Sequence, residues 1–160
     1  MKTAQHSRIG ELTLRKVLAA QTPPTGLAPD RPLAAALGAL AATPTGALLV
    51  VAEGQAVGTL GAVDLLRHLA AAGGPVADIP VRTVMGPLPP VFVPGCRVRD
   101  CLADLAARGT GLALVVEPGA SPALLTREML LQAMVAHQDG IFAAQELDQR
   151  ILFLQGTYSC

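Results

Sequence analysis

Residues 47–66 read ALLVVAEGQAVGTLGAVDLL, and residues 112–131 read LALVVEPGASPALLTREMLL. In each stretch, an apolar run is followed by a Gly-containing turn, a second apolar run and a segment with helical spacing. A shift of 65 positions aligns residues 27–66 with 92–131 without a gap, and 14 of the 40 pairs are identical. Shared richness in Ala and Leu would give only roughly four identities by chance. The chain therefore contains a duplicated unit.

Each copy carries the same series of local signals upstream of this stretch. A short helical segment (10–19 or 78–85) leads into a Pro-rich turn and a brief extended segment (26–28 or 91–93). A helix follows, with apolar residues at i, i+4 and i+7. These residues are Leu33, Leu37 and Leu40 in the first copy, and Val98, Leu102 and Leu105 in the second. The order predicts a helix followed by a βαββα unit, twice.

The continuous apolar runs predict strands that are buried on both faces. A strand joined by a helix to its neighbour, and then a hairpin, gives a three-stranded sheet with helices on one face. Neither half has enough helices to cover its own sheet, so we expect the halves to pack together with pseudo-twofold symmetry. The predicted fold class is α/β (α+β), with repeats at 10–74 and 78–137 and a C-terminal region at 138–160.

The composition excludes several classes of partner. Twelve basic residues balance twelve acidic ones, so no net field attracts nucleic acid or an anionic membrane. Aromatic residues make up only 2% of the chain, which leaves few rings for base stacking. No apolar run is long enough for a membrane span. The odd count of three cysteines, without a CxxC pair, is typical of a reducing compartment, and we expect a cytoplasmic protein.

No catalytic constellation is visible. The three histidines are far apart and lack metal-ligand spacing, and no nucleophile–base pair or paired carboxylates stand out, so we expect neither an enzyme nor a metal site. Cys101 lies on the apolar side of its helix and is predicted to be a core residue. Cys96 lies near the helix N-cap, where either a lowered thiol pKa or a neutral turn residue is consistent with the sequence.

The chain resembles the cystathionine-β-synthase (CBS) domain family, and its two copies resemble a tandem Bateman module. The resemblance covers residues 10–137 and is most direct in VRTVMGPLPPVFVPGCRVRDCL (81–102) and VVAEGQAVGTLGAVDLL (50–66). It implies a regulatory module that binds an adenine nucleotide (AMP, ADP or ATP) or S-adenosylmethionine between the repeats. It also implies a homodimer whose conformation is sensed by an effector protein that the sequence does not identify.

The resemblance also implies which residues form the ligand site. In this family a Thr/Ser-x-x-Asp segment opens the last helix, its Asp binding ribose and its hydroxyl lying near phosphate. The first copy reads Gly61-Ala62-Val63-Asp64 and keeps only the acid. The second copy reads Thr126-Arg127-Glu128-Met129 and keeps only the hydroxyl, with Arg127 as a second phosphate ligand. Backbone groups of Gly26-Leu27 and Val91-Phe92 are expected at the adenine edge.

Two of these residues also have an interpretation that needs no ligand. Asp64 falls in the first turn of its helix, where a carboxylate interacts favourably with the helix dipole by roughly 0.3–1 kcal/mol. Thr126 is a plausible N-cap, whose replacement by Ala costs about 1 kcal/mol. Because both copies have lost half of the motif, the alternative function is a ligand-free dimerising scaffold that presents its C-terminal helix to a partner protein.

The C-terminal region predicts one more helix, beginning around Asp139-Gly140 and ending before Gly156. Ile141, Ala144, Leu147, Ile151 and Leu154 form an apolar stripe at three- and four-residue spacing. Two interpretations remain open: the helix covers its own sheet, or it pairs with a second copy. The final GTYSC segment, which includes Cys160, is either an unstructured tail or a short docking peptide, and the sequence leaves both open.

Overall fold

A computed structural model describes residues 11–21, 26–75 and 77–156. The first copy consists of α1 (Leu14–Ala19), α2 (Leu33–Ala42), β1 (Ala47–Ala52), β2 (Gln55–Gly61) and α3 (Ala62–Ala72). The second consists of α4 (Val81–Val84), β3 (Val91–Phe92), α5 (Val98–Arg108), β4 (Leu112–Val115), β5 (Ala123–Thr126) and α6 (Arg127–Gly156). The predicted order of elements is therefore present in the second copy, and in the first copy except for its first strand. The predicted start of α1 at residue 10 and the GTYSC segment beyond Gly156 lie outside the described residues.

The two sheets differ by one strand. In the second copy β3 pairs in parallel with β4, and β4 pairs antiparallel with β5, which gives the predicted three-stranded sheet. In the first copy β1 and β2 form a two-stranded antiparallel sheet, and the expected third strand is reduced to one parallel bridge between Leu27 and Val50. Gly26 stands where the second copy has Val91, and glycine supports a strand poorly.

The short leading helix of each copy packs into the core of the other copy. Leu14 and Val17 of α1 are buried with residues of α5, β4, β5 and α6. Val81 and Val84 of α4 are buried with residues of α2, β1, β2 and α3. The packing therefore crosses the repeat boundaries, and each core contains one helix from the other repeat.

Equivalent backbone hydrogen bonds anchor the two exchanged helices, α1 and α4. The Leu14 N–H donates to the Cys96 carbonyl (2.9 Å), and the Val81 N–H donates to the Arg31 carbonyl (2.9 Å). The next residues repeat the pattern: Arg15 donates to Pro94 (2.8 Å) and Arg82 to Pro29 (2.9 Å). Because these acceptors are 65 positions apart in each pair, the exchange follows the expected pseudo-twofold symmetry.

Two details of the predicted helices are wrong. In α2 the buried face is formed by Leu33, Ala36 and Leu40, whereas Leu37 is 44% exposed. A small residue at i+3, here Ala36, lets the helix approach the strands closely, and its counterpart in α5 is Cys101, buried as predicted. The predicted helix start at 139–140 is also wrong, because α6 runs without a break through Gly140. An isolated glycine weakens a helix by about 1 kcal/mol but does not end it.

Candidate functional site

The segment between α4 and β3 (residues 85–90), which we call the linker, belongs to the second copy and lies directly on β2 of the first. Thr59 and Gly86 exchange two backbone hydrogen bonds, from the Thr59 N–H to the Gly86 carbonyl (3.2 Å) and from the Gly86 N–H to the Thr59 carbonyl (2.7 Å). A Cβ placed on Gly58 would lie 2.7 Å from the Gly86 carbonyl oxygen and 3.0 Å from the Met85 sulfur. Gly58 therefore permits the close approach that brings the linker against the first copy.

Asp64 is engaged by its own helix. Its Oδ2 accepts a hydrogen bond from the Gly61 N–H (3.0 Å), and its Oδ1 pairs with Nη1 of Arg67 (3.3 Å). Its side chain is 20% exposed, and a Cβ placed on Gly86 would lie 3.2 Å from Oδ1. The carboxylate thus caps α3 beside the linker. A carboxylate accepts about four hydrogen bonds, so two contacts leave acceptor capacity for a ligand hydroxyl.

Thr126 is the N-cap of α6. Its Oγ1 accepts a hydrogen bond from the Met129 N–H (3.2 Å), and the residue is nearly buried. The Arg127 N–H donates to the Gly111 carbonyl (2.8 Å), while its guanidinium is about half exposed and lies 4.0 Å from Glu128. The capping interpretation of Thr126 is therefore confirmed, and Arg127 presents its charge at the surface.

The backbone segments expected to contact an adenine ring form hydrogen bonds and packing contacts within the protein. The backbone of Leu27 is bonded to β1, since its N–H donates to Leu49 and its carbonyl accepts from Val51 (both 2.9 Å). A Cβ placed on Gly26 would lie 2.7 Å from a Val51 methyl group, so Gly26 packs closely against β1. In the second copy the Phe92 carbonyl accepts from Val116 (3.1 Å), while Val91 has an exposed side chain.

Within the part of the chain that the structure describes, a cleft of about 660 Å³ lies where the two copies meet. Its lining comes from Thr59 of β2, from residues 87–91, and from the end of α5 and the start of β4. The lining residues are Thr59, Pro87, Leu88, Pro89, Pro90, Val91, Arg108, Thr110 and Leu112. The cleft is shallow and largely open to solvent.

The cleft combines an apolar lining with a few polar groups. Leu88 and Val91 expose their side chains beside three prolines. Arg108 is the charged residue of the lining, and its Nε is held by Asp104 Oδ2 at 2.8 Å. The Thr59 hydroxyl donates to the Pro87 carbonyl at 3.3 Å. Such a lining suits a flat apolar group that carries an anion.

Most of the predicted site residues do not line this cleft. Asp64 packs against Gly86, and the next residue, Pro87, is part of the lining. Arg127 is bonded to Gly111, which lies between the lining residues Thr110 and Leu112. Of the other predicted residues, only Val91 lines the cleft.

Sequence reasoning missed Thr59, Arg108 and Thr110. One signal was available for Thr110, because Thr110-Gly111 repeats Thr45-Gly46 of the first copy in an otherwise variable turn. Arg108 had no such signal, since the first copy has Thr43 at the equivalent position. A lone arginine at a helix end is ordinary on a protein surface, and only the fold brings it to the cleft.

The thiols of Cys96 and Cys101 are held in their neutral form. Burial raises the pKa of the Cys101 thiol to about 12, with smaller contributions from Cys96 and Asp104. Burial also raises the pKa of the Cys96 thiol, and the carboxylates of Asp100 and Asp104 add to the effect. For Cys96 the neutral interpretation therefore holds, because these effects outweigh any lowering at the helix start.

Two kinds of feature are absent from the described residues. No three His, Cys, Asp or Glu residues among them come together in a group that could hold a metal ion. None of the helices described combines the length and the apolar character needed to cross a membrane.

Comparison with solved structures identifies the fold. A CBS-domain-containing protein from Agrobacterium tumefaciens is 18% identical, with a TM-score of 0.68, and the match covers 84% of this chain and 99% of that chain. The CBS domain of a bacterial CNNM/CorC family Mg²⁺ transporter, in complex with ATP, is 22% identical (TM-score 0.63; 79% and 89% covered). CBSX2 in complex with AMP is 19% identical (TM-score 0.63; 79% and 98% covered).

The other comparisons found no match. No protein-family model matches the chain, and no curated protein matches it. At these identities the solved structures establish the fold. The duplicated βαββα unit, the exchanged leading helices and the agreement over more than three quarters of the chain lead to one conclusion: the chain has the fold of a tandem pair of CBS domains.

Proposed function

We propose that the protein is a regulatory CBS-pair module that binds an adenine nucleotide in the cleft between its two copies. The observation that carries the proposal is the composition of the cleft: apolar side chains and prolines, two threonines and a single guanidinium, contributed by both copies and the linker. Two proteins of the same fold, in complex with ATP and AMP, support this choice of ligand.

The cleft offers a separate contact to each part of a nucleotide. An adenine ring would pack between Leu88, Val91 and the prolines, because Leu88 and Val91 are apolar and exposed. Arg108 would bind phosphate, since its guanidinium has donors left after the bond to Asp104. S-adenosylmethionine carries a cationic sulfonium, which this arginine disfavours. The cleft therefore favours AMP, ADP or ATP over S-adenosylmethionine.

The regulatory step follows from the position of the cleft. A ligand that touches Thr59, the linker and the start of β4 contacts both copies at once. It can shift their relative arrangement only by the difference between its affinities for the alternative arrangements. An effector protein that recognises one arrangement would complete the signal. Asp64 stays a predicted ribose ligand, because it lies beside Gly86 and keeps acceptor capacity.

The test measures the binding of AMP, ADP, ATP and S-adenosylmethionine by thermal shift and calorimetry. A nucleotide that binds the native state raises the melting temperature with concentration. Arg108→Ala should weaken nucleotide binding about tenfold or more, because it removes a charge-assisted hydrogen bond. Arg99→Ala, at the other end of α5, is the matched control and should bind as the wild type does. An absence of any shift at millimolar nucleotide would refute the proposal.

Asp64→Ala tests whether Asp64 binds the ribose or only caps α3. If Asp64 binds the ribose, the variant loses affinity for AMP; if it only caps α3, the variant is less stable but binds AMP normally. A loss of affinity in Asp64→Ala together with normal binding in Arg108→Ala would move the site from the cleft to the first copy.

The ligand-free scaffold remains the second candidate function. It is favoured by one observation: the ribose-binding acid of the motif is replaced by Met129 in the second copy, and Asp64 of the first copy is already engaged by Gly61 and Arg67. Under this proposal no adenine compound changes the melting temperature, and the protein binds its partner equally well with and without nucleotide.

A further inference from the structure

The helix α6 extends well past the fold that holds it. It has 30 residues and is therefore about 45 Å long. Its first two turns pack into the second core, where Leu130 is fully buried and Met129, Ala133 and Met134 are partly buried. Beyond Met134, no residue of the described chain that belongs to α6 is buried. The distal half of the helix thus has an uncovered apolar surface.

The uncovered surface continues the stripe by which the helix packs on its own core. Alternating spacings of three and four residues connect one set of positions, which we name the α6 seam: Leu130, Ala133, His137, Gly140, Ala144, Leu147 and Ile151. This spacing is the pattern of two helices that pack along each other. The first two members lie against the core, whereas Leu147 and Ile151 are 59% and 44% exposed. A Cβ placed on Gly140 would meet nothing within 4 Å.

We propose that the distal α6 seam binds the same seam of a second copy of this chain, with the two helices antiparallel. The residue sizes along the seam support this occupant. The end of the distal seam nearer the second core carries Gly140 and Ala144, and the end nearer the C-terminus carries Leu147 and Ile151. In an antiparallel pair Gly140 lies opposite Ile151, and Ala144 lies opposite Leu147, so that small residues meet large ones in every layer.

A parallel pair lacks this complementarity. Gly140 would face Gly140 and Ala144 would face Ala144, while Leu147 and Ile151 would hold the other ends of the helices farther apart. Such a pair leaves a void at one end of the seam, and voids forfeit packing contacts. The flanks agree with the antiparallel pair, because Asp148 would lie opposite Ile141 and Arg150 opposite Ala143. No like charges oppose each other.

The first experiment is sedimentation velocity of the full chain over a concentration series. The wild type is expected to form a dimer, and Leu147→Glu/Ile151→Glu should raise the dimer dissociation constant at least about a hundredfold, because it buries unpaired carboxylates. The matched control is Phe142→Glu/Gln149→Glu, which adds the same charge to the opposite face and removes a side chain that is 66% exposed. This control should remain dimeric.

The second experiment fixes the orientation. In a Cys160→Ser background, chains with Ala144→Cys and chains with Leu147→Cys are oxidised separately and as a mixture, and cross-links are identified by mass spectrometry. An antiparallel seam gives cross-links only in the mixture. Self-cross-linking of the Ala144→Cys chains alone would indicate a parallel pair. A monomeric wild type, or a dimer that survives the seam substitutions, would overturn the proposal whatever the outcome of the nucleotide experiments.

Discussion

The two copies of the repeat differ most where the linker passes. In the first copy, β2 pairs with Gly86 of the linker, and the position facing it is Gly58. In the second copy the equivalent of Gly58 is Ala123 on β5. The first copy has also lost its third strand apart from the bridge at Leu27, whereas the second keeps β3. The sheets of the two copies therefore differ in the residue at the Gly58 position and in the length of the strand that contains Leu27 or Phe92.

The exchange of leading helices gives the largest expected effect. Leu14→Ala should lower the free energy of unfolding by about 2–5 kcal/mol, since Leu14 is fully buried. The loss should appear in the second half, although Leu14 belongs to the first repeat. Hydrogen exchange is the measurement, with amide protection expected to fall in β4 and β5. Leu33→Ala is the control and should affect α2 and β1 instead. Early loss of protection in β1 by Leu14→Ala would contradict the exchange.

A second substitution tests whether the linker packs tightly on β2. Gly58→Ala should lower the free energy of unfolding by about 1–3 kcal/mol, because the new methyl group would overlap the Gly86 carbonyl. The reciprocal change, Ala123→Gly, should cost only about 0.5–1 kcal/mol, from backbone entropy. Urea denaturation measures both. If Gly58→Ala and Ala123→Gly lower the free energy of unfolding equally, the linker does not constrain β2.

These two sites also show what the sequence could and could not predict. Periodicity and turn residues predicted the strands, the hairpins and the duplication, because those signals are local. They could not predict the partner of a six-residue helix such as α1, since the short apolar pattern of Leu14 and Val17 fits either core. The cleft was equally inaccessible: Arg108 and Thr59 are 49 positions apart in the sequence, and only the linker's path brings them to one cavity.

The family motif predicted the residues around the cleft better than those that line it. Asp64 and Thr126 occupy corresponding helix starts, as the alignment requires, and both are used as caps. The sequence showed that each had a capping interpretation. It could not show that Gly86 would lie beside the Asp64 carboxylate, because that contact joins segments from different copies.

The different caps of the two copies provide a third comparison. Thr126→Ala should cost about 1 kcal/mol, because it leaves the Met129 N–H without its bond, and Thr126→Ser should restore most of it. Asp64→Ala should cost roughly 0.3–1 kcal/mol, through the Gly61 N–H and the helix dipole. Thermal denaturation without ligand compares them. A Thr126→Ser variant as unstable as Thr126→Ala would disprove the cap.

The smallest expected effect concerns Cys101, whose counterpart in the first copy is Ala36. The fold raises the pKa of Cys101 from 9.0 to about 12. The unfolded thiol therefore ionises first, and stability that is present below pH 9 is lost as the pH rises towards 12. At pH 9 the loss amounts to about 0.4 kcal/mol, since half of the unfolded thiols are ionised. Urea titrations at pH 7 and pH 9 measure this loss. Between these pH values the free energy of unfolding should fall by about 0.4 kcal/mol more in the wild type than in Cys101→Ala.

The exchanged helices α1 and α4 have a consequence for the origin of the chain. Two separate copies of one βαββα unit that traded their leading helices would form a domain-swapped dimer, in which neither subunit has a complete core. Here residues 73–80 join both units in one chain, so the swap takes place at a high effective concentration. A chain cut between α3 and α4 would return to that earlier condition: two fragments, each missing one helix of its core, that fold only by complementing each other.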